Sequence, residues 1–203
     1  MKYMYSIIKR IFDFSASCIG LLLLLPFILI ICCWIKIDSK GPVFFRQCRV
    51  GKNGREFMIH KFRSMANDTE NQGQLTVGND QRITRSGYFI RKYKLDELAQ
   101  LIDVIQGTMS LVGPRPEVPK YMNLYPDAIR KKILSVKPGI TDLAAIEMID
   151  ENIILSQYDE PEKAYIDIIM PMKAEYYLKY IDNHSLFLDI KIIFITIIKI
   201  VKR

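Results

Sequence analysis

The chain has 203 residues, half of them hydrophobic, and a formal net charge of +7 at pH 7. This length suits one compact domain with an anchor, and the positive charge favours anionic partners such as nucleic acid, phospholipid head groups or phosphorylated substrates. Nucleic acid ranks last, because the sequence has no zinc-finger pattern, no helix-turn-helix signature and no basic tail. Its four cysteines form neither a C-x-x-C pair nor a metal-ligand spacing, which excludes a disulfide framework and a zinc site.

Residues 14–35 form a long apolar run without charged side chains. As a straight helix this run would measure roughly 33 Å, which is enough to cross a bilayer. Two features favour a re-entrant helix instead. Pro26 removes a backbone hydrogen bond near the middle of the run, and basic residues flank both ends, so that the positive-inside rule gives a single crossing no clear orientation. A spanning helix and a re-entrant helix with both ends on one side therefore stay open as alternatives.

The next segment predicts a β-hairpin. Residues 43–50 and 56–62 are rich in aromatic and β-branched side chains, and the connection between them contains Asn53-Gly54, a pair typical of tight turns. Lys61 and Arg63 at its end are candidate phosphate ligands, although basic residues are also common on the solvated face of a hairpin. The polar residues 66–81 predict a loop, which is either a lid or a simple connector.

The strongest candidate site lies within residues 82–119. Apolar residues recur at spacings of three and four from position 95 to 105, so Asp96 and Glu97 fall in the first turn of an amphipathic helix that ends near Gly107. Carboxylates at this position feel the positive end of the helix dipole. An ionised Asp96 beside cations is a candidate nucleophile, and Glu97 is a candidate Mg²⁺ ligand. Paired acidic residues also occur in first turns for helix stability alone.

Cations surround this acidic pair in the sequence. Several precede it, and Arg115 follows it between two prolines, which limit its backbone freedom and suit it to binding phosphate. The turn at 137–141 adds a lysine and a hydroxyl, and a plain connection between two helices is its alternative interpretation. The candidate phosphate-binding residues are Lys61, Arg63, Arg82, Arg85, Arg91, Arg115, Lys137 and Thr141.

The C-terminal part predicts surface helices. Residues 120–136 and 162–180 show helical spacing, the second with an interruption at Pro171. Ser185 is a candidate N-cap for a last, strongly apolar helix at 186–201. Three charged residues make this helix costly as a membrane span. We expect it to pack on the domain and to touch the membrane surface.

Several ordered motifs carry a family resemblance: GPVFFRQCRVGKNGREFMIHKFRSM, RITRSGYFIRKYKLDELAQL, GTMSLVGPRPE and KPGIT. They resemble the bacterial sugar transferases, the small monotopic phosphoglycosyl transferases. The resemblance implies a helix-rich α+β fold, with a re-entrant membrane helix at 1–40 that breaks at Pro26 and a cytosolic catalytic domain at 41–203. It also implies location at the cytoplasmic face of the bacterial inner membrane.

The activity that the resemblance implies is transfer of a phosphosugar from a UDP-sugar to polyprenyl (undecaprenyl) phosphate, with release of UMP. This is the first membrane step of surface glycan synthesis, for example of exopolysaccharide or lipopolysaccharide. In the implied mechanism Asp96 forms a covalent aspartyl-phosphosugar, Glu97 holds Mg²⁺, and Arg91 and Arg115 bind phosphate oxygens. The alternatives are a non-catalytic membrane-bound scaffold that binds anionic lipid, and a polytopic phosphoglycosyl transferase, which would need more apolar runs than this chain has.

The chain departs from the family pattern at several positions. Leu25 precedes the membrane proline where relatives often have serine, His60 replaces an aromatic or apolar residue, and Thr108 replaces an aspartate. From Asp142 onward many relatives read Gly-Trp-Ala-Gln-Val-Asn-Gly-Arg, a segment that is absent here. Tyr177 stands where relatives often have a carboxylate. For this reason we carry over no functional residue from 142–160.

Overall fold

The computed structural model describes residues 2–66, 75–78, 80–148 and 151–202. Helices dominate, together with two small sheets, which confirms the α+β, helix-rich fold class. Most of the predicted loop at 66–81 lies outside the described residues. The helices are α1 (Lys2–Asp38), α2 (Arg85–Lys92), α3 (Leu101–Gln106), α4 (Pro119–Met122), α5 (Asp127–Ile133), α6 (Leu143–Glu147), α7 (Glu151–Leu155), α8 (Pro161–Ala164), α9 (Met170–Asn183) and α10 (Leu186–Val201). The strands are β1 (Phe44–Val50), β2 (Glu56–Phe62), β3 (Ser110–Val112) and β4 (Gly139–Thr141).

Helix α1 continues through Pro26, where the sequence predicts that the chain turns. A proline removes a single backbone hydrogen bond and can bend a helix without ending it. The predicted break is therefore not a break in secondary structure. α1 is also the one helix of the described residues that is long and apolar enough to cross a membrane by length and composition.

Both ends of α1 are bonded to the same folded domain. Near its N-terminus, Arg10 donates to two carbonyls at the end of α3 (2.6 and 2.8 Å), and Asp13 accepts from the Ser110 hydroxyl at 2.8 Å. At its C-terminus, Asp38 accepts from the backbone N–H and the hydroxyl of Ser86 (2.9 and 2.8 Å). The apolar run between these contacts therefore lies along the domain instead of leading away from it.

The rest of α1 presents an apolar surface. Leu22 and Leu23 in its middle are 72% and 73% exposed, and Ile30 is 64% exposed. Water solvates such a continuous apolar surface poorly, and soluble monomers rarely expose one. The long apolar helix thus fits membrane association.

The predicted hairpin is confirmed. β1 and β2 pair in antiparallel register from Phe44 opposite Phe62 to Val50 opposite Glu56. Positive φ angles at Asn53 (59°) and Gly54 (76°) turn the chain between them, as the Asn-Gly pair predicts. A second sheet, which the sequence did not predict, pairs β3 with β4 in parallel.

The second sheet brings the two turns of the candidate site together. The Gly113 amide donates to the Thr141 carbonyl at 3.1 Å, and the Gly139 amide donates to the Pro114 carbonyl at 3.0 Å. The backbones approach so closely that only glycine fits: a Cβ on Gly139 would lie 2.1 Å from the Gly113 nitrogen. Arg115 is thereby positioned directly after this crossing.

The C-terminal helices follow the predicted boundaries in part. The stretch 120–136 is divided into α4 and α5, because Pro126 precedes α5 and lacks the N–H that would continue a helix. Pro171 lies in the first turn of α9, after a π-helical turn at Tyr165–Ile169. α10 begins as predicted, with the Ser185 hydroxyl accepting from the Leu188 amide at 3.2 Å.

Helix α10 packs on the domain, as the sequence predicts. Its buried Asp189 accepts hydrogen bonds from Tyr5 (3.0 Å), Lys9 (2.8 Å) and Tyr180 (2.7 Å), and so joins α1, α9 and α10. Its outer face is an apolar stripe at helical spacing. This stripe consists of Phe187, Ile190, Phe194, Ile197 and Val201.

Substitution of Gly139 by alanine tests the close crossing of the two turns. Because the added Cβ would overlap backbone atoms, we expect Gly139→Ala to lower the free energy of unfolding by about 3 kcal/mol. The matched control is Gly54→Ala, whose Cβ would meet no atom within 4 Å, and which should cost about 1 kcal/mol through its positive φ alone. Thermal unfolding of the detergent-solubilised variants measures both, and equal losses would contradict the crossing.

Candidate active site

The acidic pair lies on a tight turn that connects α2 to α3. Lys94 adopts a left-handed conformation (φ 54°), and Leu95–Gln100 then form a 3₁₀ turn that leads into α3. The sequence predicts an α-helical first turn here. The 3₁₀ geometry replaces it because the left-handed residue starts the turn, and short 3₁₀ segments are common at the N-termini of α-helices. Asp96 and Glu97 are buried, with 7% and 8% of their surface exposed.

Glu97 is held by two of the predicted cations. Its carboxylate accepts from both terminal nitrogens of Arg115 (2.5 and 3.3 Å), and the Lys61 ammonium lies at 3.7 Å. Burial opposes ionisation of Glu97, but the charges of Arg115 and Lys61 outweigh it and hold the pKa of this carboxyl well below its usual range. Glu97 is therefore an anion at neutral pH.

Asp96 is held less tightly. Its Oδ2 atom lies 3.9 Å from the Lys61 ammonium. Its Oδ1 atom is buried and accepts no hydrogen bond within the described part of the chain. A buried carboxylate oxygen without a partner is costly and rare in folded proteins. It is an atom available to a substrate or a metal ion.

The donor set around this pair suits Mg²⁺. Mg²⁺ is commonly bound by one or two carboxylates, with substrate phosphates and water completing its octahedron. Glu97 supplies such carboxylate oxygens, and the unpartnered Asp96 Oδ1 stays available to a substrate. No group of three or more Asp, Glu, His or Cys side chains that could hold a metal ion occurs among the described residues.

A cavity of about 1610 Å³ opens beside the acidic pair. Its lining includes apolar side chains, such as Phe12 and Leu24 of α1 and Ile197 of α10, and polar ones, such as Lys173 and Tyr177 of α9. The carboxylates therefore share one cavity with both apolar and hydrogen-bonding side chains.

The structure brings most of the predicted phosphate ligands to this cavity. Lys61 and Arg115 contact the acidic pair itself, and two of the others have clear partners elsewhere. Arg82 binds Asp80 at 2.6 Å, and Arg63 donates to carbonyls at the C-terminal end of α1, of which that of Ser39 is at 2.7 Å. The predicted ligands that line the cavity are Lys61, Arg63, Arg82, Arg91, Arg115 and Thr141.

Two predicted ligands do not line the cavity within the described residues. Arg85 begins α2 with an exposed side chain. Lys137 lies beside Gly107 and Arg10, at the far end of α3 from the acidic pair. A cation near the C-terminus of a helix is stabilised by the helix dipole, so Lys137 has a local role. The prediction that these two residues bind substrate phosphate at this cavity is not supported by their positions.

His60 links Asp103 to Arg46 through hydrogen bonds that the sequence did not predict. Its Nδ1 atom lies 2.7 Å from Asp103 Oδ1, and its Nε2 atom contacts the Arg46 guanidinium. A guanidinium only donates, so Nε2 is the acceptor of this contact. Arg46 lines the cavity. The sequence signal was the position of Asp103 on the same helical face as Asp96.

The sequence also did not predict a group of polar side chains that line the cavity. Lys173 is buried and lies 2.7 Å from Glu151 and 3.3 Å from the Tyr165 hydroxyl, which donates to Glu117 at 2.9 Å. Asp142 is 1% exposed and accepts from the Ala145 amide at 2.8 Å, so it caps α6. These residues come from four separate segments, and no local spacing connects them.

The chain is similar to known proteins along almost all of its length. Residues 4–203 match the family model described as bacterial sugar transferase. The chain is 41% identical over 197 residues to a UDP-glucose:undecaprenyl-phosphate glucose-1-phosphate transferase of Klebsiella pneumoniae (95% of this chain, 40% of that protein). It is 38% identical over 196 residues to a UDP-N-acetylgalactosamine-undecaprenyl-phosphate N-acetylgalactosaminephosphotransferase of Aeromonas hydrophila (95% and 43%).

A shorter relative matches along nearly its whole length. The exopolysaccharide production protein PSS of Rhizobium leguminosarum bv. phaseoli is 37% identical over 206 residues, which is 97% of this chain and 96% of that protein. The chain thus spans about two fifths of the length of the first two relatives and almost all of the third.

The buried Asp142 gives a testable dependence of stability on pH. Burial raises the pKa of its carboxyl to about 6, although the Ala145 amide and the Arg115 charge act in the opposite direction. A carboxyl whose folded pKa is raised costs stability as pH increases from its unfolded pKa, near 4, to its folded pKa. We therefore expect Asp142→Asn, which keeps the cap, to stabilise the protein by on the order of 2 kcal/mol above pH 6.

Denaturant unfolding of Asp142→Asn and the wild type between pH 4.5 and 7.5 measures this effect. The difference between the two proteins should grow with pH and level off above pH 6. A difference that stays constant with pH would show that Asp142 does not titrate as its burial implies.

Proposed function

We propose, because the chain belongs to the bacterial sugar transferase family, that it transfers a phosphosugar from a UDP-sugar to undecaprenyl phosphate and releases UMP. The observation that carries this proposal is the buried Asp96–Glu97 pair, with cations on one carboxylate and a free oxygen on the other, in a cavity that both apolar and polar side chains line. Relatives named for glucose and for N-acetylgalactosamine share undecaprenyl phosphate in their names, which supports this acceptor.

The first step of the proposed mechanism uses Asp96. Its Oδ1 atom, which has no hydrogen-bond partner among the described residues, forms a bond to the sugar-bearing phosphorus of the UDP-sugar. The bond from this phosphorus to the bridging oxygen breaks, and UMP leaves with that electron pair. Covalent catalysis of this kind divides one difficult transfer into two easier steps.

In the second step an oxygen of undecaprenyl phosphate attacks the same phosphorus. The bond to Asp96 breaks, the carboxylate is regenerated, and the diphosphate-linked sugar leaves on the lipid. Lys61, which lies 3.9 Å from Asp96 and 3.7 Å from Glu97, balances negative charge through both steps. Arg91 and Arg115 line the same cavity and bind phosphate oxygens.

Glu97 would hold Mg²⁺. Bound there, the ion would neutralise charge on the diphosphate and on the leaving UMP. Arg115 and Lys61 hold Glu97 in this structure and keep its carboxylate ionised.

We place the protein at the cytoplasmic face of the bacterial inner membrane, with α1 as a re-entrant anchor. Contacts at both ends of α1 with one domain support this topology, since a domain cannot lie on both sides of a bilayer. The outer apolar stripe of α10 then rests on the membrane surface. An acceptor phosphate at the head-group plane would thus reach Asp96 without leaving the membrane.

Release of UMP from a panel of UDP-sugars tests the reaction. We expect detergent-solubilised protein with Mg²⁺ and undecaprenyl phosphate to release UMP from at least one donor. Asp96→Asn should reduce the rate at least about 1,000-fold, because it removes the nucleophile. Asp127→Asn is the matched control, because Asp127 is an exposed carboxylate on α5 that pairs with Arg130, and its rate should stay unchanged.

A radiolabelled sugar donor would then reveal the covalent intermediate on the wild type and none on Asp96→Asn. If the protein binds lipid vesicles but releases no UMP from any donor, a non-catalytic scaffold replaces the proposed reaction. Full activity of Asp96→Asn would remove Asp96 from the mechanism.

Accessibility of tags at the two termini tests the topology. We expect epitope tags at both ends to react with antibody only after spheroplasts are permeabilised, because both ends of α1 are bonded to the cytosolic domain. A tag on a periplasmic domain of another protein serves as the control for intact spheroplasts. Labelling of the N-terminal tag from outside would establish a spanning helix instead.

A further inference from the structure

One hydroxyl group at the cavity, that of Tyr177, has no hydrogen-bond partner among the described residues. Tyr177 belongs to α9, and 1% of its surface is exposed. A buried tyrosine hydroxyl normally finds a partner, and a free one needs an explanation. A ligand group that enters the cavity would supply that partner.

Two charged side chains accompany Tyr177. Asp142 and Lys173 line the same cavity, and 1% and 4% of their surfaces are exposed. Burial, and after it the charge of Asp142, raise the pKa of the Tyr177 hydroxyl. The cap on α6 does not require a charge, since asparagine caps as well as aspartate, and burial makes the charge of Asp142 costly. A costly buried charge is retained where it serves function.

These three residues line the same cavity as the acidic pair. Arg115, which binds Glu97 directly, lines it as well and feels the charge of Asp142. In the proposed reaction Asp96 attacks the phosphorus that carries the sugar. The sugar is attached to that phosphorus through one oxygen, and of the two organic parts of the donor it lies closer to Asp96 than the uridine does.

We infer that Asp142, Lys173 and Tyr177 form the binding site for the hydroxyl groups of the donor sugar and discriminate between sugars that differ there. The carboxylate of Asp142 accepts from sugar hydroxyls, the Tyr177 hydroxyl both donates and accepts, and the Lys173 ammonium donates. This inference rests on the proposed function for the identity of the donor. It goes beyond that function by assigning the sugar-recognition site to residues outside the motif-rich region.

Binding of donors and of UMP to full-length protein separates the sugar site from a uridine site. Calorimetry in the Asp96→Asn background prevents turnover and gives dissociation constants for UDP-glucose, UDP-galactose, UDP-N-acetylglucosamine, UDP-N-acetylgalactosamine and UMP. We expect Tyr177→Phe to weaken the preferred UDP-sugar about fivefold, as loss of one hydrogen bond does. Its preference over the C4 epimer should shrink, and UMP affinity should stay unchanged.

Tyr176→Phe is the matched control. Tyr176 is the neighbouring tyrosine on α9 and is half-buried, but it is not among the residues that line the cavity. Loss of its hydroxyl should change neither donor affinity nor donor preference. Asp142→Asn, which keeps the helix cap, should reduce donor preference in the same direction as Tyr177→Phe.

Three results would overturn the inference. Unchanged donor affinity and preference in both Tyr177→Phe and Asp142→Asn would show that the sugar lies elsewhere. Equal weakening of UMP and of every donor would assign the site to uridine. A loss of donor affinity in Tyr176→Phe as large as that in Tyr177→Phe would make the effect structural. Failure of the proposed function is a separate observation, since the wild type would then release no UMP whatever the binding data show.

Discussion

The pairing of the buried Glu97 carboxylate with Arg115 and Lys61 is the interaction on which the site depends. A buried carboxylate is costly unless cations compensate it, and loss of one partner leaves the charge unpaired. Lys61 comes from β2 of the hairpin, and Arg115 follows the crossing of Gly113 with Gly139. Hairpin, parallel strands and acidic turn must therefore all be in place before the acidic pair is stable, which couples the geometry of the site to the fold.

The long apolar helix α1 is part of the same body as the site. Arg10, Asp13 and Asp38 bond it to the domain at both ends, while Leu22 and Leu23 face outward. Leu24 of the same helix lines the cavity beside the acidic pair. The same helix thus carries the exposed apolar surface and lines the cavity that contains the charged pair. This is what a reaction between a water-soluble sugar nucleotide and a lipid phosphate requires, since neither substrate has to cross into the solvent of the other.

Some buried polar groups without hydrogen-bond partners among the described residues line the cavity. Asp96 Oδ1 and Tyr177 Oη are both buried and unpaired within the described residues, and both residues line the cavity. Folded proteins satisfy nearly all such atoms, and exceptions at a cavity indicate positions that a ligand completes. The charged Asp142 adds a cost in the same place. These unpaired and charged groups lower the stability of the fold and leave polar atoms available to a ligand, as is common at functional sites.

Local sequence patterns determined those features that depend on residues close together in the chain. The Asn53-Gly54 turn, the Ser185 cap and the acidic pair at the start of a helical segment follow from such patterns, because backbone preference and side-chain spacing act over a few residues. Which cations meet Glu97 could not be read this way: Arg115 does, whereas Lys137 lies at the other end of α3. The neighbourhood of Asp142 and Tyr177, the parallel pairing of β3 with β4 and the capping role of Arg63 likewise arose only in the tertiary structure. Electrostatic and packing partners are chosen by distance in space, and distance between remote segments is set by the packing of the whole chain.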